Sequence, residues 1–339
     1  MRPSPYLNIL TFPVSFEFRN SALGLRRCVT VGNLRGSLIL PIANNDAIEK
    51  PFAELLPPRA MHVAFATQIY AQSHQSERNG AISWGRYFAY TKNDPVESAV
   101  ASVHSAILAF SPTQHGRTMS VRQVAEECLE HLPQWCARLT DWIEVLTRDD
   151  LNPAHSLSAQ IAPKRWTTAA WIHTSSARPE YTFVNPVLSL FGSDGKNAMG
   201  ASEWSAAIRA ANARRDLPEI WTLLRDARGA QRRGNGRRAV LDAATAAELI
   251  IDRQLRARLL RDNDVAFVDN LLKSTWQVSR RMDLMKSLGM WLPAGLETKL
   301  SSLRNRVGHS NAAVTRGQAI GAVDVAEDLA RHYEASLLK

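Results

Sequence analysis

The chain has 339 residues, of which 45% are hydrophobic and 22% charged, and a formal net charge of +9. This length is enough for a sizeable core and predicts two domains. No apolar run reaches the roughly 18 residues that a membrane-spanning helix needs, and the N-terminal segment lacks a secretory pattern, so we expect a cytoplasmic protein without membrane contact.

The first part of the chain, up to about residue 95, has the sequence pattern of a β-sheet. Apolar residues alternate with polar ones in the segments VSFEF, CVTV and SLILP, and GNLRG between the last two predicts a hairpin loop. Two more strands are predicted, at about 62–69 and 82–90.

Two helices are predicted next, at 97–110 and 121–146, from apolar residues at helical spacing. Ser120 is a suitable N-cap for the second helix. Pro133 predicts either a kink in that helix or its division into two shorter ones. Strand-like segments return between 166 and 191.

The segment FGSDGKNAMG at 191–200 has the composition of a linker. We therefore predict a mixed α/β domain at 1–198, which would recognise a target or regulate the protein, and an all-helical domain at 199–339. The predicted fold class is α+β, with a β-rich N-terminal domain followed by a helical bundle.

The chain after residue 200 has helical periodicity, interrupted by short breaks that contain Gly or Pro. Short loops between helices favour an antiparallel bundle. Ser202 is expected to cap the first helix, and Thr315 with Gln318 predicts a capping box for the last. The predicted helices are about 202–215, 218–230, 237–261, 265–274, 276–288, one that begins near 296, and 316–338.

Positive charge is concentrated in this helical part. Residues 200–339 contain 23 Lys and Arg against 16 Asp and Glu, whereas residues 1–199 contain 18 against 16. A basic surface fits a polyanionic partner such as RNA, although a helical surface also carries charge for solubility. Arginine outnumbers lysine here, which favours phosphate recognition.

The segment LSSLRNRVGHSN, residues 300–311, belongs to an amphipathic helix. Four apolar residues at helical spacing predict its buried side. They are Leu296, Leu300, Leu303 and Val307. Three polar side chains that could bind a phosphate or transfer a proton lie on the remaining surface of this helix. They are Arg304, Asn305 and His309.

This order, an arginine, a polar residue and then a histidine after three further positions, resembles the active motif of the HEPN superfamily, whose helical-bundle domains occur in bacterial toxins and defence ribonucleases. The resemblance covers about the last third of the chain. It implies a metal-independent endoribonuclease and a homodimer that joins two motifs into one composite site. It also implies a role in a toxin–antitoxin pair, with an inhibitory antitoxin partner, or in antiviral defence.

The chemistry of RNA cleavage gives each motif residue a role. Attack of the ribose 2′-hydroxyl on the adjacent phosphate requires a group that exchanges a proton near neutral pH and a donor for the developing charge. His309 is the candidate acid or base, Arg304 the candidate phosphate clamp, and Asn305 a supporting residue. The alternative is that Arg304 pairs with a carboxylate and His309 caps its own helix.

A basic cluster around the RRGNG turn is the second candidate site. Its arginines would track an RNA backbone or cover a solvated turn, and both interpretations stand. Glu248 on the long helix would support the motif, although an ion pair with an arginine is the simpler explanation. The candidate RNA-binding residues are Arg228, Arg232, Arg233, Arg237 and Arg238.

No metal and no cofactor are predicted. The sequence contains neither a GxGxxG nor a GxxxxGK[ST] segment, no CxxC, and no histidine pair at ligand spacing. Cys28, Cys128 and Cys136 do not form a disulfide set, which fits a reducing compartment. We expect them to be small buried residues.

Two other functions are compatible with the sequence. The bundle would bind RNA, a nucleotide or another protein without turnover, or it would be a dimerisation scaffold for an N-terminal domain that carries the function. The first alternative predicts salt-sensitive binding without new RNA ends. The second would be favoured if Arg304 and His309 were buried or far from any partner chain.

Overall fold

The computed structural model describes residues 6–44, 54–56, 58, 84–89, 99–148, 167–173, 198–309 and 312–338. The chain forms two compact units, Met1–Asp216 and Leu217–Lys339. The fold class is α+β, as predicted, because the N-terminal part contains an antiparallel sheet and the C-terminal part is helical.

The strands of the first unit are β1 Tyr6–Arg19, β2 Arg26–Val31, β3 Leu34–Ile39, β4 Gly85–Ala89, β5 Val100–Phe110, β6 Thr113–Gln114, β7 Arg117–Thr118 and β8 Thr167–His173. In the described part of this unit, six of them form one sheet in the order β2-β3-β5-β1-β8, with β4 paired to β5. All its strand pairs are antiparallel. The strands β6 and β7 form a separate hairpin.

The predicted hairpin between β2 and β3 is confirmed, but its loop is shorter than GNLRG. Val31 pairs with Leu34, so only Gly32 and Asn33 make the turn. Gly32 has φ of +59°, and a Cβ at this position would lie 2.1 Å from Cδ2 of His131. Both the left-handed conformation and the close approach therefore require glycine. The strand predicted at 82–90 is present as β4, whereas the one predicted at 62–69 lies outside the described residues.

The predicted helix at 97–110 is wrong, because this segment is the strand β5. It lies inside the sheet, paired with β1, β3 and β4, and ten of its eleven residues are buried. A strand that is buried on both faces has an almost continuous apolar run, without the alternation that identifies a half-exposed strand. Its Val and Ile residues also favour a strand.

The predicted helix after Ser120 is confirmed as α1, Val121–Thr147, and Ser120 and Gln123 form a capping box. Pro133 lies inside this helix without dividing it. The next helix, α2, comprises Ala201–Asn212, and its N-cap is Gly200 instead of the predicted Ser202. Glu203 accepts a hydrogen bond from the Gly200 N–H at 3.1 Å, so the acid in the first turn closes this helix end.

The division between the two units falls after Asp216, beyond the linker-like segment at 191–200. Helix α2 belongs to the first unit because it packs on α1 and β2. Asn212 joins the three elements: its Oδ1 accepts from the Thr30 N–H and from Trp135 Nε1, and its Nδ2 donates to the Cys28 carbonyl. Composition indicates where a loop lies, but it does not indicate which unit the following helix contacts.

The helices of the second unit are α3 Glu219–Arg232, α4 Gly236–Leu259, α5 Val265–Ser274, α6 Val278–Ser287, a π-helical turn Leu296–Ser301 that continues into α7 Ser302–His309, and α8 Arg316–Tyr333. We call Leu296–His309 the motif helix. Helix α4 is central, since it contacts α3, α8 and the motif helix. The apolar residues of α4 are buried, among them Ala239, Ala243 and Ile250, and the predicted capping box of Thr315 and Gln318 is present.

Candidate functional site

The motif helix has the amphipathic orientation that its sequence predicts. Its four stripe residues are between 0% and 4% exposed. They are Leu296, Leu300, Leu303 and Val307. Gly295, with φ of 83°, precedes the helix in the left-handed conformation that favours glycine. Because the stripe faces the core, Arg304 and Asn305 lie on the accessible side, and Asn305 is exposed.

Arg304 contacts Glu248, the acid predicted to support the motif. Nε of Arg304 lies 3.3 Å from Oε1 of Glu248, and the two side chains are 40% and 32% exposed. Nη1 of Arg304 donates a hydrogen bond to Oδ1 of Asn305 at 3.4 Å. Such a half-exposed pair contributes little to stability. Its effect is to fix the direction of a guanidinium that has five N–H donors.

A cleft of about 300 Å³, counting the part that is open to solvent, lies beside this pair. One side is polar, with Glu248, Arg304, Asn305 and Ser301. The other walls are apolar and come from α4, α6 and the start of the motif helix. The apolar lining residues are Ala244, Ala247, Ile251, Val278, Met282, Leu296 and Leu300. The charged rim therefore lies beside apolar walls that are mostly buried.

His309 is the last residue of α7, and its side chain lies outside the described part of the structure. Gly308 continues the helix up to it, and a Cβ at position 308 would meet no described atom within 4 Å. The three motif residues therefore follow one another on a single helix, with Arg304 about one turn before the backbone of His309.

One of the five arginines predicted for the basic cluster is buried. Arg228 is 7% exposed and Glu327 on α8 is 2% exposed, and Nε of Arg228 lies 2.5 Å from Oε1 of Glu327. The two side chains form a buried ion pair. Arg228 is buried because it lies on the face of α3 that packs on α8. It therefore belongs to the core and is excluded from an RNA-binding surface.

The other four arginines of the cluster are exposed at the turn between α3 and α4. They are Arg232, Arg233, Arg237 and Arg238. Part of their charge is balanced, since Arg238 pairs with Asp242 at 3.2 Å. We call this surface the basic turn.

The basic turn adjoins the chain that leaves the motif helix. A Cβ on Gly236, the first residue of α4, would lie 3.1 Å from the side chain of Val314. Val314 belongs to the short segment between the motif helix and α8. This contact brings the segment after the motif helix to the start of α4, whereas Arg304 lies at Glu248, about 18 Å further along the same helix.

One group of side chains in the described residues could hold a metal ion. Ligand atoms of Glu127, Glu130 and His131 on α1 lie within 4.8 Å of one another. Glu127 already accepts two hydrogen bonds of 3.0 Å from Asn33, and it lies 3.4 Å from Nε2 of His131. The spacing of His and Cys residues does not reveal this group, because two of its three possible ligands are carboxylates. Its observed role is to hold the β2–β3 turn against α1.

Among the histidines that the structure describes, His104 has a strongly shifted pKa, and it lies in the sheet of the first unit. The pKa of His104 is lowered to about 4, first by burial and then by the positive charge of Arg86. Burial also raises the pKa of the Cys128 thiol to about 12 and that of the Cys136 thiol well above its usual value. These three groups are uncharged at neutral pH, so they are not candidates for proton transfer or nucleophilic attack.

Comparison of the chain with protein-family models, with curated proteins and with solved structures found no match. Across the residues that the structure describes, no helix combines the length and apolar character needed to cross a membrane. The resemblance to the HEPN superfamily therefore stays a prediction that depends on the motif helix.

Proposed function

We propose that this protein is a metal-independent endoribonuclease of the HEPN type, with Arg304, Asn305 and His309 at its active site. The observation that carries the proposal is that Arg304, held by Glu248 on the accessible side of the motif helix, borders a cleft. A guanidinium that is oriented but 40% exposed can bind a phosphate. The four exposed arginines of the basic turn support the proposal, because they would bind the RNA backbone beyond the cleft, towards the start of α4.

The reaction begins with the ribose 2′-hydroxyl. A neutral imidazole of His309 takes its proton, the 2′ oxygen forms a bond to phosphorus, and the bond between phosphorus and the 5′ oxygen breaks. The leaving 5′ oxygen takes a proton from a second, protonated imidazole. The products are a 2′,3′-cyclic phosphate and a 5′-hydroxyl. Arg304 stabilises the charge that develops on the phosphorane oxygens, and Glu248 positions Arg304.

One chain supplies one motif, so the second imidazole would come from a second copy in a homodimer. The first unit would then recognise the target or restrain the nuclease. By its resemblance the protein would act in the cytoplasm as a toxin or an antiviral effector, and an inhibitory partner would cover the site. No metal and no organic cofactor takes part in this scheme.

The test measures cleavage of a labelled single-stranded RNA in EDTA. His309→Ala is expected to lower the rate by about 10² to 10⁴, because it removes a general acid or base. Arg304→Ala is expected to lower it by about 10² to 10³. Arg306→Ala is the matched control, since Arg306 is an exposed arginine on another face of the same helix, and it should retain activity. Full activity of both motif variants would exclude the proposal.

Mixing the wild-type chain with His309→Ala chains tests the composite site. If two imidazoles serve one phosphate, activity falls with the square of the wild-type fraction, because only wild-type dimers are active. If one imidazole suffices, activity falls in proportion to that fraction. The second result would retain the ribonuclease but exclude the shared site.

The ion pair between Arg304 and Glu248 favours a second candidate, a bundle that binds RNA without cleaving it. In this case the arginine is a structural partner of Glu248 and contributes only charge. RNA would then bind to the basic turn with an affinity that falls steeply with salt. No new RNA ends would form with the wild-type protein, and Arg304→Ala would reduce affinity only slightly.

A further inference from the structure

The first unit contains a group of possible metal ligands that the proposed function does not use. Glu127, Glu130 and His131 occupy positions i, i+3 and i+4 of α1, so they lie on one face of that helix. One ligand atom from each side chain lies within 4.8 Å of the other two. The group combines one imidazole with two carboxylates, which is a donor set that divalent transition metals bind.

The turn between β2 and β3 holds two of these side chains in place. The backbone N–H and the Nδ2 of Asn33 each donate to Oε1 of Glu127 at 3.0 Å, which leaves Oε2 as an acceptor. The ring of His131 lies against Gly32, where a Cβ would overlap with its Cδ2. Metal ligands are oriented in the same way by hydrogen bonds from groups around the site.

The spacing of the group suits a small cation better than a hydrogen bond. Nε2 of His131 is 3.4 Å from Oε1 of Glu127, which is longer than the range of about 2.7–3.2 Å for an N–H···O hydrogen bond. Two ligand atoms bound to a tetrahedral Zn²⁺ by bonds of about 2.1 Å lie about 3.4 Å apart. Small rotations of the side chains are therefore enough to close all three around one ion.

The charges of the group also favour a cation. Its two carboxylates lie within 4.8 Å of each other and repel. Within the described part of the chain, Glu130 has neither a hydrogen bond nor an ion pair. Arg214 reaches the same turn, but it donates to the Gly32 carbonyl at 3.2 Å. A bound divalent cation would offset the repulsion between the two acids.

We propose that Glu127, Glu130 and His131 bind one divalent transition-metal ion, Zn²⁺ above all, with water in the fourth position. The imidazole selects against Mg²⁺ and Ca²⁺, which prefer oxygen ligands alone. The bound ion clamps the β2–β3 turn onto α1, so it stabilises the first unit. This inference goes beyond the proposed function, because RNA cleavage uses other residues and no metal.

The test measures Zn²⁺ binding to the metal-free full chain by isothermal titration calorimetry. Glu130→Gln is the decisive variant, because Glu130 is exposed and its replacement does not disturb the core. It should weaken binding at least about tenfold, since even the loss of a second-shell partner costs 10- to 100-fold. Glu126→Gln is the matched control: Glu126 is exposed on the same helix but pairs with Arg122, and the variant should bind Zn²⁺ like the wild type.

His131→Gln should weaken binding by at least as much as Glu130→Gln. Co²⁺ gives a spectroscopic signature, because it absorbs visible light strongly when four-coordinate and only weakly in water. The strong band should form with the wild type and be absent in His131→Gln, and an excess of Mg²⁺ should not displace the ion. Equal Zn²⁺ affinity of the wild type and both ligand variants would overturn the proposal.

The clamp has a separate readout. Zn²⁺ at 100 times its Kd should shift the folding equilibrium of the first unit about 100-fold, seen as a higher unfolding midpoint. Hydrogen exchange of the Asn33 amide, which is bonded to Glu127, should slow. Zn²⁺ binding that changes neither measurement would exclude the clamp.

The same measurements separate this inference from the proposed function. Zn²⁺ binding at this group without RNA cleavage would retain the metal site and remove the nuclease. RNA cleavage in EDTA by a chain that does not bind Zn²⁺ here would retain the nuclease and remove the metal site.

Discussion

Replacing Arg228 by alanine is expected to destabilise the second unit by about 3–5 kcal/mol. The guanidinium and the carboxylate of Glu327 are among the most buried charges described, at 7% and 2% exposure, and their closest atoms are 2.5 Å apart. Removal of the cation takes a charge partner from an anion in a place that water barely reaches, so the cost of its lost hydration is offset less. The loss compares with a total of about 5–15 kcal/mol for a typical domain.

The assay is thermal unfolding followed by far-UV circular dichroism, with hydrogen exchange of the α8 amides to locate the transition in the second unit. The midpoint temperature should fall by on the order of 10–20 °C. Arg232→Ala on the same helix is the matched control, because Arg232 is exposed, and it should change stability by about 0.5 kcal/mol or less.

A double variant, Arg228→Met with Glu327→Leu, tests the physical reason. Since it removes both charges and keeps apolar bulk, its stability should lie within about 2 kcal/mol of the wild type, or above it. A loss of less than about 1 kcal/mol in Arg228→Ala, or an equal loss in the single and double variants, would refute the argument.

Three further predictions concern titration, thiol reactivity and helix stability. The pKa of His104 is about 4 in the folded chain and about 6.5 when unfolded. Between these pH values the unfolded state therefore binds more protons than the folded state. The free energy of unfolding should fall by at most about 3 kcal/mol as pH drops from 6.5 to 4. Cys28 is exposed, whereas Cys128 and Cys136 are buried, so a thiol reagent should modify one cysteine in the folded protein and three in denaturant. Gly308→Ala should stabilise the second unit by about 0.4–1 kcal/mol, because the helical backbone accepts the new methyl group without a clash.

Each of these has a control. In His104→Gln the loss between pH 6.5 and 4 should diminish, and an unchanged loss would assign it to other groups. Cys28→Ser should leave no rapidly reacting thiol, and rapid modification of a second cysteine would contradict the burial of the α1 thiols. Gly308→Ala should be compared in thermal unfolding and in RNA cleavage, because reduced cleavage by a more stable variant would indicate that His309 needs a mobile helix end.

Local signals were sufficient for most helices. Ser120 and Thr315 cap their helices as predicted, since a capping box depends only on residues three positions apart. The predicted helix at 265–274 coincides with α5. The helix predicted at 97–110 was wrong for the opposite reason, because long-range pairing makes this segment the strand β5. Its secondary structure depends on pairing with three strands from other parts of the chain. The sequence of β5 alone does not predict these pairings.

The sequence by itself determined that Arg304 and Asn305 would face away from the core, because the spacing of the apolar stripe fixes the orientation of an amphipathic helix. Tertiary structure decided which of the many charged residues meet. It paired Arg304 with Glu248, placed Arg228 against Glu327, and assembled the cleft from three separate helices. These contacts join residues that are far apart in the chain. They are selected by the packing between helices, which no periodicity in the sequence predicts.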